Sequence, residues 1–178
     1  HLRSLSNFPY IILRPTGGYG PREKDYLLMM KTIKWSIDFR SGWSKQLITF
    51  VYVKDLVKAI FAAVESDKIQ KTYFISEEKA YSSSGFSDYV AQELGKKFVL
   101  PIILPMWLLW IITHVAEIFN KLTGCTTAIN RDKYHIMSQR NWVCDTSLTR
   151  KELDFTPQYS LEEGVRETVA WYRANKWL

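Results

Sequence analysis

The sequence has little of the residue types that build metal centres and disulfide frameworks. Its 178 residues include only two cysteines and three histidines. Cys125 and Cys144 lack the spacing of a metal-binding motif, and neither His114 nor His135 has a partner at ligand spacing. We therefore expect no metal site, and we expect free thiols in a reducing, cytoplasmic setting.

An uninterrupted apolar run of membrane-spanning length is also lacking. The most apolar stretch, residues 98–119, contains two prolines, and His114 and Glu117 interrupt it further. A span needs about 20 predominantly apolar residues in one helix. The pattern therefore predicts a long helix after Pro105 that is buried or covers a pocket. An interfacial helix over residues 105–119 remains open as the alternative, although basic residues are scarce on its polar face.

Charge of one sign is not concentrated anywhere in the chain. The net charge is +6, but the basic residues are scattered, which is not the pattern of a nucleic-acid groove. Such a charge suits an anionic small ligand, for example a nucleotide phosphate. The apolar fraction of 47% predicts a packed core, and the length suits one domain or one large lobe.

The most informative stretch runs from residue 10 to residue 26. A short apolar run ends at Arg14 and Pro15, which predicts a buried strand. A turn with three glycines follows, and glycine lets the backbone take positive φ and approach a ligand. Ligands of parallel α/β sheets lie beyond the carboxyl ends of the strands. We expect a site edge here, with an ordinary strand-to-helix loop as the alternative.

The rest of the chain alternates between strands and helices, which predicts parallel βα units. Asp55 is expected to cap its helix, and Ser160 with Glu163 forms a capping-box signature. The predicted strands cover residues 10–13, 37–39, 47–53, 71–76 and 141–145, with an extended segment over 98–105. The predicted helices cover residues 25–35, 55–65, 86–94, 105–124, 146–153 and 160–175, and a short one runs from Thr127 or Asn130 through Met137.

Several segments together resemble the extended short-chain dehydrogenase/reductases, the NAD-dependent epimerase/dehydratase family. RPTGGYGPR, from Arg14, is similar to that family's RPxxVYGPR segment, and FVYVKDL, from Phe50, is similar to its FVHVDDVA step. Residues 142–157, followed by SLEEG, resemble its closing passage. The order and spacing of the segments carry the resemblance, which covers the second half of the family's length.

The resemblance implies an α/β fold: the C-terminal part of a Rossmann-like parallel sheet plus a mostly helical substrate-binding lobe. Residues 1–178 would form one unit, with about 1–80 as the remnant of the sheet and 81–178, including strand 141–145, as the lobe. The implied site residues are Pro15 and Thr16 for the cofactor, and Gly17, Gly18, Tyr19, Arg22 and Arg131 for the substrate. For Arg22 a solvated loop arginine is the alternative.

Two motifs of that family are absent. No Gly-x-x-Gly-x-x-Gly triplet is present to receive a cofactor pyrophosphate. The one Tyr-x-x-x-Lys match, Tyr172 with Lys176, lies at the end of the last helix, whereas the family's catalytic tyrosine would precede residue 1. We therefore assign no catalytic residue to this chain and expect it to be inactive alone. NAD or NADP would belong to a longer parent enzyme, and the abrupt opening suggests a missing preceding part.

Two positions depart from the nucleotide-sugar epimerases, which usually carry Asn at Gly17 and often Arg at Ile48. Arginine's fork suits a diphosphate, and isoleucine cannot replace it. A sugar-nucleotide substrate is the first hypothesis. A hydrophobic alcohol, as in 3-beta-hydroxysteroid dehydrogenase-like proteins, is the second. A non-catalytic module that binds a small ligand or a partner is the third.

An isolated half-sheet would expose one edge and an apolar face. Strands 10–13, 47–53 and 71–76 are expected in one parallel sheet whose first strands are missing. Uncovered edges and faces pair with other chains. We therefore expect aggregation or a homodimer through that face.

Overall fold

The computed structural model describes residues 8–124 and 131–178, without the side chains of residues 121 and 131–133. The strands are β1 (Ile11–Pro15), β2 (Gly17–Tyr19), β3 (Ile37–Ser41), β4 (Leu47–Ile48), β5 (Phe50–Tyr52), β6 (Lys71–Ile75), β7 (Tyr81–Ser82), β8 (Leu100–Leu104) and β9 (Asn141–Trp142). The helices are α1 (Lys24–Lys34), α2 (Val53–Glu65), α3 (Gly85–Glu93), α4 (Met106–Thr123), α5 (Arg131–Ser138), α6 (Ser147–Leu153) and α7 (Leu161–Ala174).

The strands pair into four small sheets, most of them parallel. β1 pairs with β6, with Ile11 opposite Lys71 and Pro15 opposite Ile75. β2 pairs with β5, and β3 pairs with β8, both in parallel. β4 pairs in parallel with β9 and antiparallel with β7. The fold is α/β with parallel strand pairs, as the sequence predicts, but the strands form separate short sheets.

The strand expected over residues 47–53 is wrong in detail, because Thr49 divides it. The Thr49 amide and hydroxyl both donate to the Trp142 carbonyl at 2.9 Å, while its own carbonyl accepts from the Gly17 amide. These bonds draw β4 toward β9 and β5 toward β2. Neither piece joins the β1–β6 pair, so the expected three-stranded parallel sheet is not formed. The strand expected over 141–145 is likewise reduced to β9.

Asp55 does not cap α2, contrary to the sequence prediction. The helix begins two residues earlier, at Val53, and its N-cap residue Tyr52 makes no side-chain capping bond. Asp55 is fully buried, and its Oδ2 accepts from the backbone amides of Gln158 at 3.0 Å and Tyr159 at 2.9 Å. The carboxylate therefore joins α2 to the segment that leads into α7.

The glycine turn is also different from the prediction. Gly17 and Gly18 lie in extended strand β2, and of the three glycines only Gly20 has positive φ. A Cβ on Gly20 would lie 2.5 Å from Cγ1 of Val53, so a side chain there would collide with α2. Gly20 thus lets the chain turn directly against the start of that helix.

Several helix ends confirm their sequence signals. Gly124 ends α4 in the left-handed conformation, as glycine commonly does. Ser160 and Glu163 form the capping box of α7, with each side chain bonded to the other's backbone amide. The expected start of α5 at Thr127 or Asn130 lies outside the described residues, and the helix is described from Arg131.

The core consists of two apolar clusters. The larger cluster joins β2 and β5 to α1, α3 and α7, and its centre is aromatic. Tyr19 lies among Tyr26, Phe50, Tyr52 and Phe86, with ring centroids 5.4–6.5 Å apart. The smaller cluster joins β5 and β6 to α2 and α6. Both the β1–β6 and the β2–β5 pairs pack against these clusters, and a cleft opens beside their strand ends.

Glu77 ties the end of β6 to α7 and gives the stability a pH dependence. Its Oε1 accepts from the Tyr81 hydroxyl and its Oε2 from the Leu161 amide. Burial raises the pKa of Glu77, and the Tyr81 hydrogen bond opposes that rise. The folded chain therefore holds this proton to a higher pH than the unfolded chain does. Ionisation of Glu77 costs stability as pH rises from the ordinary pKa of 4.5 through the folded value.

Glu77→Gln is expected to remove this dependence. The free energy of unfolding of the variant minus that of the wild type should increase as pH rises through the same window. Urea unfolding at a series of pH values measures the difference. Tyr81→Phe is the control: it removes the bond that favours the ionised form, so the fall in stability should extend to a higher pH. Parallel pH profiles for Glu77→Gln and the wild type would contradict this account.

Candidate cleft at the strand ends

A cleft of about 520 Å³ opens at the carboxyl end of the β1–β6 pair. Pro15 and Thr16 form its floor where β1 ends, and Phe74 of β6 lies beside them. The side walls come from β3, β4, β9 and α5. A cavity of this size at strand ends is the usual position for a small ligand in α/β proteins.

The floor carries a buried hydroxyl with no protein partner. Thr16 donates its backbone amide to the Ile75 carbonyl at 3.1 Å, but its Oγ1 is buried and makes no hydrogen bond. The Ser76 hydroxyl, just past the end of β6, is also buried and unbonded. An unsatisfied buried polar group costs about 1–3 kcal/mol, and both of these hydroxyls lie next to the strand ends at which the cleft opens.

Gly17 and Tyr26 shape one wall. The Tyr26 ring stacks on Phe86 with centroids 4.5 Å apart, and burial raises the pKa of Tyr26. A Cβ on Gly17 would lie 2.8 Å from the Tyr26 hydroxyl and 3.0 Å from the Phe50 ring. Asparagine therefore cannot replace Gly17 here unless Tyr26 moves. The tyrosine ring fills space that a longer side chain at residue 17 would use.

A second wall contains an ion pair from β3. Arg40 Nε donates to Asp38 Oδ2 at 2.7 Å, and the Ser87 hydroxyl donates to the same oxygen at 2.9 Å. Asp38 is buried, whereas the Arg40 side chain is about one-third exposed at the cleft. The pair holds the guanidinium in place at the cleft, and the Asp88 carboxylate lies 3.9 Å from its Nη2.

The remaining walls are apolar. Arg14 lies with its guanidinium carbon 5.3 Å from the centre of the Phe74 ring, a cation–π contact at the cleft edge. Gln46 and Trp142 use their side-chain N–H groups on carbonyls around α5: Gln46 bonds Met137 at 2.9 Å, and Trp142 bonds Ile136 at 3.1 Å. Their polar atoms are thus satisfied within the protein. The apolar lining comprises Met29, Phe39, Ile48, Phe74, Ile136, Met137 and Trp142.

Cys144 is the thiol of this cleft and has no disulfide partner among the described residues. Burial raises the pKa of the Cys144 thiol, and the nearby Arg14 lowers it less. The group therefore stays protonated at neutral pH, which suits a wall residue rather than a nucleophile.

The structure brings only some of the sequence-predicted site residues to the cleft. Pro15, Thr16 and Gly17 line it, and Gly18 lies beside them in β2 without lining it. Tyr19 points into the aromatic core, where its hydroxyl approaches the carbonyls of Ser160 and Leu161 at 3.5 Å. Arg22 stacks over the Trp171 ring at 5.9 Å. The side chain of Arg131 lies outside the described residues. All these assignments stay predictions of function.

Residues that the sequence patterns did not single out complete the cleft. Asp38 and Arg40 alternate on β3, a polar signal inside a short strand. Gln46 and Ser83 approach from β4 and β7, and no local pattern marks them. Tyr172, whose match to a catalytic motif was set aside, is buried and donates to the carbonyls of Gly20 and Glu23. Burial raises the pKa of Tyr172 to about 12, and α7 ends before Lys176.

Comparison with known proteins identifies the relatives of this fold. No family model matches the chain. The UDP-glucose 4-epimerase of Vibrio cholerae is 24% identical over 173 residues, which are 96% of this chain and 49% of the epimerase. Short-chain dehydrogenase/reductase family 42E member 1 of Mus musculus is 26% identical over 175 residues, 92% of this chain and 43% of the mouse protein. The chain is therefore similar to epimerases, dehydratases and short-chain dehydrogenase/reductases.

A solved structure of the epimerase/dehydratase group has the same fold. The UDP-glucuronic acid 4-epimerase of Bacillus cereus, in complex with UDP-glucuronic acid and NAD, superposes with a TM-score of 0.71 at 18% identity. The match covers 97% of this chain and 48% of that one. The chain therefore spans about half the length of the epimerase/dehydratase relatives it matches, and it is similar to their C-terminal half.

Proposed function

We propose that this chain supplies the substrate-binding half of an NAD(P)-dependent epimerase, dehydratase or related oxidoreductase. The observation that carries the proposal is the cleft at the carboxyl ends of β1 and β6, with a buried, unbonded Thr16 hydroxyl in its floor. The B. cereus relative binds a sugar nucleotide and NAD. Here the cleft would hold the substrate, and Pro15 and Thr16 would contact the cofactor's nicotinamide end.

The described residues fit only one end of such a cofactor. By the family resemblance, the nicotinamide end of the cofactor would lie against Pro15 and Thr16 at the end of β1. The sequence contains no glycine triplet to receive a pyrophosphate. When bound, the cofactor would take or return a hydride. This chain's part is to orient the substrate through the β3 ion pair and to exclude water with the apolar wall.

Inactivity of the isolated chain is part of the proposal. We expect no turnover above background when the 178-residue chain is mixed with NAD or NADP and candidate alcohols, monitored by absorbance of the reduced cofactor. Measurable turnover would contradict the assignment. The intact mass of the protein from its source cell is the companion measurement. A mass about twice that of this chain would support a full-length enzyme of this kind.

A hydrophobic alcohol or ketone is a second candidate substrate, and one observation favours it over a sugar nucleotide. Ile48 lies in the cleft wall with six other apolar side chains. Arg40 is already paired with Asp38, and Arg14 lies over an aromatic ring. A diphosphate needs charge-assisted donors, and Ile48 offers none at its place in the wall. An apolar substrate gains about 25 cal/mol for each Å² that it buries in such a wall.

Ile48→Arg is expected to exchange one ligand preference for the other. Binding of a hydrophobic ketone probe, such as a steroid ketone, should weaken about tenfold, because the probe would then contact a charged guanidinium instead of an apolar side chain. A tenfold change in affinity corresponds to about 1.4 kcal/mol. Binding of UDP-glucose should strengthen, because the guanidinium offers a fork to the diphosphate. Isothermal titration of the full chain measures both affinities.

Leu47→Arg is the matched control, because Leu47 is the neighbouring residue of β4 and does not line the cleft. It adds the same charge at the adjacent position and should leave both affinities unchanged. Equal effects of the two variants would show that net charge, rather than the cleft, governs binding. Tight binding of UDP-glucose by the wild type would contradict the hydrophobic-substrate candidate.

A further inference from the structure

Helix α4 presents its apolar side outward. Seven large apolar side chains on it are between 42% and 81% exposed. Their spacing of three and four residues places them on one stripe along the whole 18-residue helix. These seven residues, here called the α4 stripe, are Trp107, Trp110, Ile111, Val115, Ile118, Phe119 and Leu122.

The inner side of α4 is the more polar one. Thr113 is only 2% exposed and bonds to the Trp110 carbonyl, and Oε2 of Glu117 is buried. A helix that served only as core would be turned the other way, with its apolar stripe inward. The orientation therefore means that α4 carries an apolar surface for something outside the described chain.

Tryptophans gather at the start of the α4 stripe. Trp43 is 71% exposed, and its neighbour Gly42 lies against Met106, the first residue of α4. The Gly42 amide donates to the Leu104 carbonyl at 2.9 Å, which fixes this loop beside the helix start. Trp107 and Trp110 follow within one turn. Tryptophan is enriched where a protein surface meets the headgroup level of a bilayer.

The chemistry of the stripe favours lipid over a second polypeptide. Protein interfaces carry about one hydrogen bond per 100–200 Å², so a partner surface would need polar groups among the apolar ones. Among the α4 side chains described, the stripe offers only the indole N–H groups of Trp107 and Trp110; His114 at its edge bonds the Trp110 carbonyl and stacks on that ring. The chain also has a net charge of +6, which complements an anionic membrane surface.

Helix α4 can lie in the membrane–water interface but cannot cross the bilayer. Among the described residues, no helix combines the length and the hydropathy needed to cross a bilayer. An 18-residue helix is about 27 Å long and can lie flat with its apolar side in the acyl boundary. The exposed Lys45, two residues after Trp43, is placed to reach anionic headgroups.

We propose that the α4 stripe docks this chain on the surface of an anionic lipid membrane. The inference goes beyond the proposed enzyme function and does not depend on it. Helix α4 packs on α5, whose Ile136 and Met137 line the cleft, so docking would bring the cleft close to the lipid.

Vesicle flotation tests the proposal with the full chain. Wild type should float with phosphatidylcholine vesicles that contain phosphatidylserine, and less with phosphatidylcholine alone. Aggregated protein sinks, so flotation separates binding from self-association. Ile111→Glu with Val115→Glu should reduce the floating fraction about tenfold, because two charges enter the stripe. Trp107→Ala, which adds no charge, should reduce it several-fold and covers the case in which the double variant unfolds.

The matched control is Ile60→Glu with Val64→Glu. These residues are also exposed, four apart on a helix, and identical in type, but they lie on α2. This pair should float like the wild type. The proposal fails if the wild type does not float, or if both pairs lose flotation equally. It also fails if the α4 pair only lowers the light-scattering mass of the free chain, because the stripe would then join two copies.

Discussion

Asp55→Ala is expected to lower the free energy of unfolding by about 2–4 kcal/mol. The carboxylate is fully buried and accepts two backbone amides, those of Gln158 and Tyr159. Hydrogen bonds to a charged acceptor contribute about 1.5–3 kcal/mol each. The other oxygen, Oδ1, is buried without a partner, and removing it returns part of that loss. Urea unfolding, followed by circular dichroism, measures the change.

Two further substitutions separate the hydrogen bonds from burial itself. Asp55→Asn keeps one acceptor oxygen, so it should cost about half as much, since the bonds lose only their charge assistance. Asp67→Ala removes an exposed carboxylate that pairs with Lys68, and surface substitutions of this kind change stability by about 0.5 kcal/mol or less. A similar cost for Asp55→Ala and Asp67→Ala would show that the link between α2 and the segment before α7 carries little energy.

The role of Asp55 could not be predicted from local sequence patterns. Its position near the start of a helix and its residue type both indicate an N-cap. The residues that it bonds are more than 100 positions away, and no local pattern reports such a contact. The existence of α2 and its end at Glu65 were predictable from apolar periodicity. The role of the buried carboxylate depends on tertiary packing.

The same distinction holds at the cleft. The β-rich run before Pro15 predicted a strand end facing a ligand, and Pro15, Thr16 and Gly17 do line a cleft there. Their neighbour Tyr19 is a core residue instead, because its ring packs into the aromatic cluster against Tyr26 and Phe86. The position of Arg40 in the cleft was not predictable from the sequence, because it depends on the pairing of β3 with β8.

Gly17 and Ile48 link the resemblance to the structure. Both depart from the nucleotide-sugar epimerases, and in the fold they lie in the walls of one cleft, although 31 positions separate them in the sequence. Tyr26 occupies the space beside Gly17. Glycine and isoleucine at these positions both make this cleft less polar than asparagine and arginine would. This convergence supports a substrate with a large apolar part.

Gly164→Ala is expected to lower the free energy of unfolding by about 2 kcal/mol, against the usual preference of helices for alanine. In α7 the added Cβ would collide with the Tyr19 hydroxyl and would lie 2.8 Å from Cζ of the same ring. Overpacking of a core costs about 1–3 kcal/mol, and more when the neighbour cannot move. Tyr19 is held among four aromatic rings, so this cost exceeds the roughly 1 kcal/mol gained in helix propensity.

A double-mutant cycle with Tyr19→Phe shows whether the collision is the cause. Removing the hydroxyl leaves ring atoms at 2.8 and 2.9 Å as the nearest contacts, which a small shift of the ring relieves. The hydroxyl itself makes only two long hydrogen bonds of 3.5 Å, so Tyr19→Phe alone should cost little. Gly164→Ala should then cost at least about 1 kcal/mol less when it is combined with Tyr19→Phe, a coupling typical of residues in contact. Equal costs with and without Tyr19→Phe would mean that α7 does not approach β2 as closely as the structure shows.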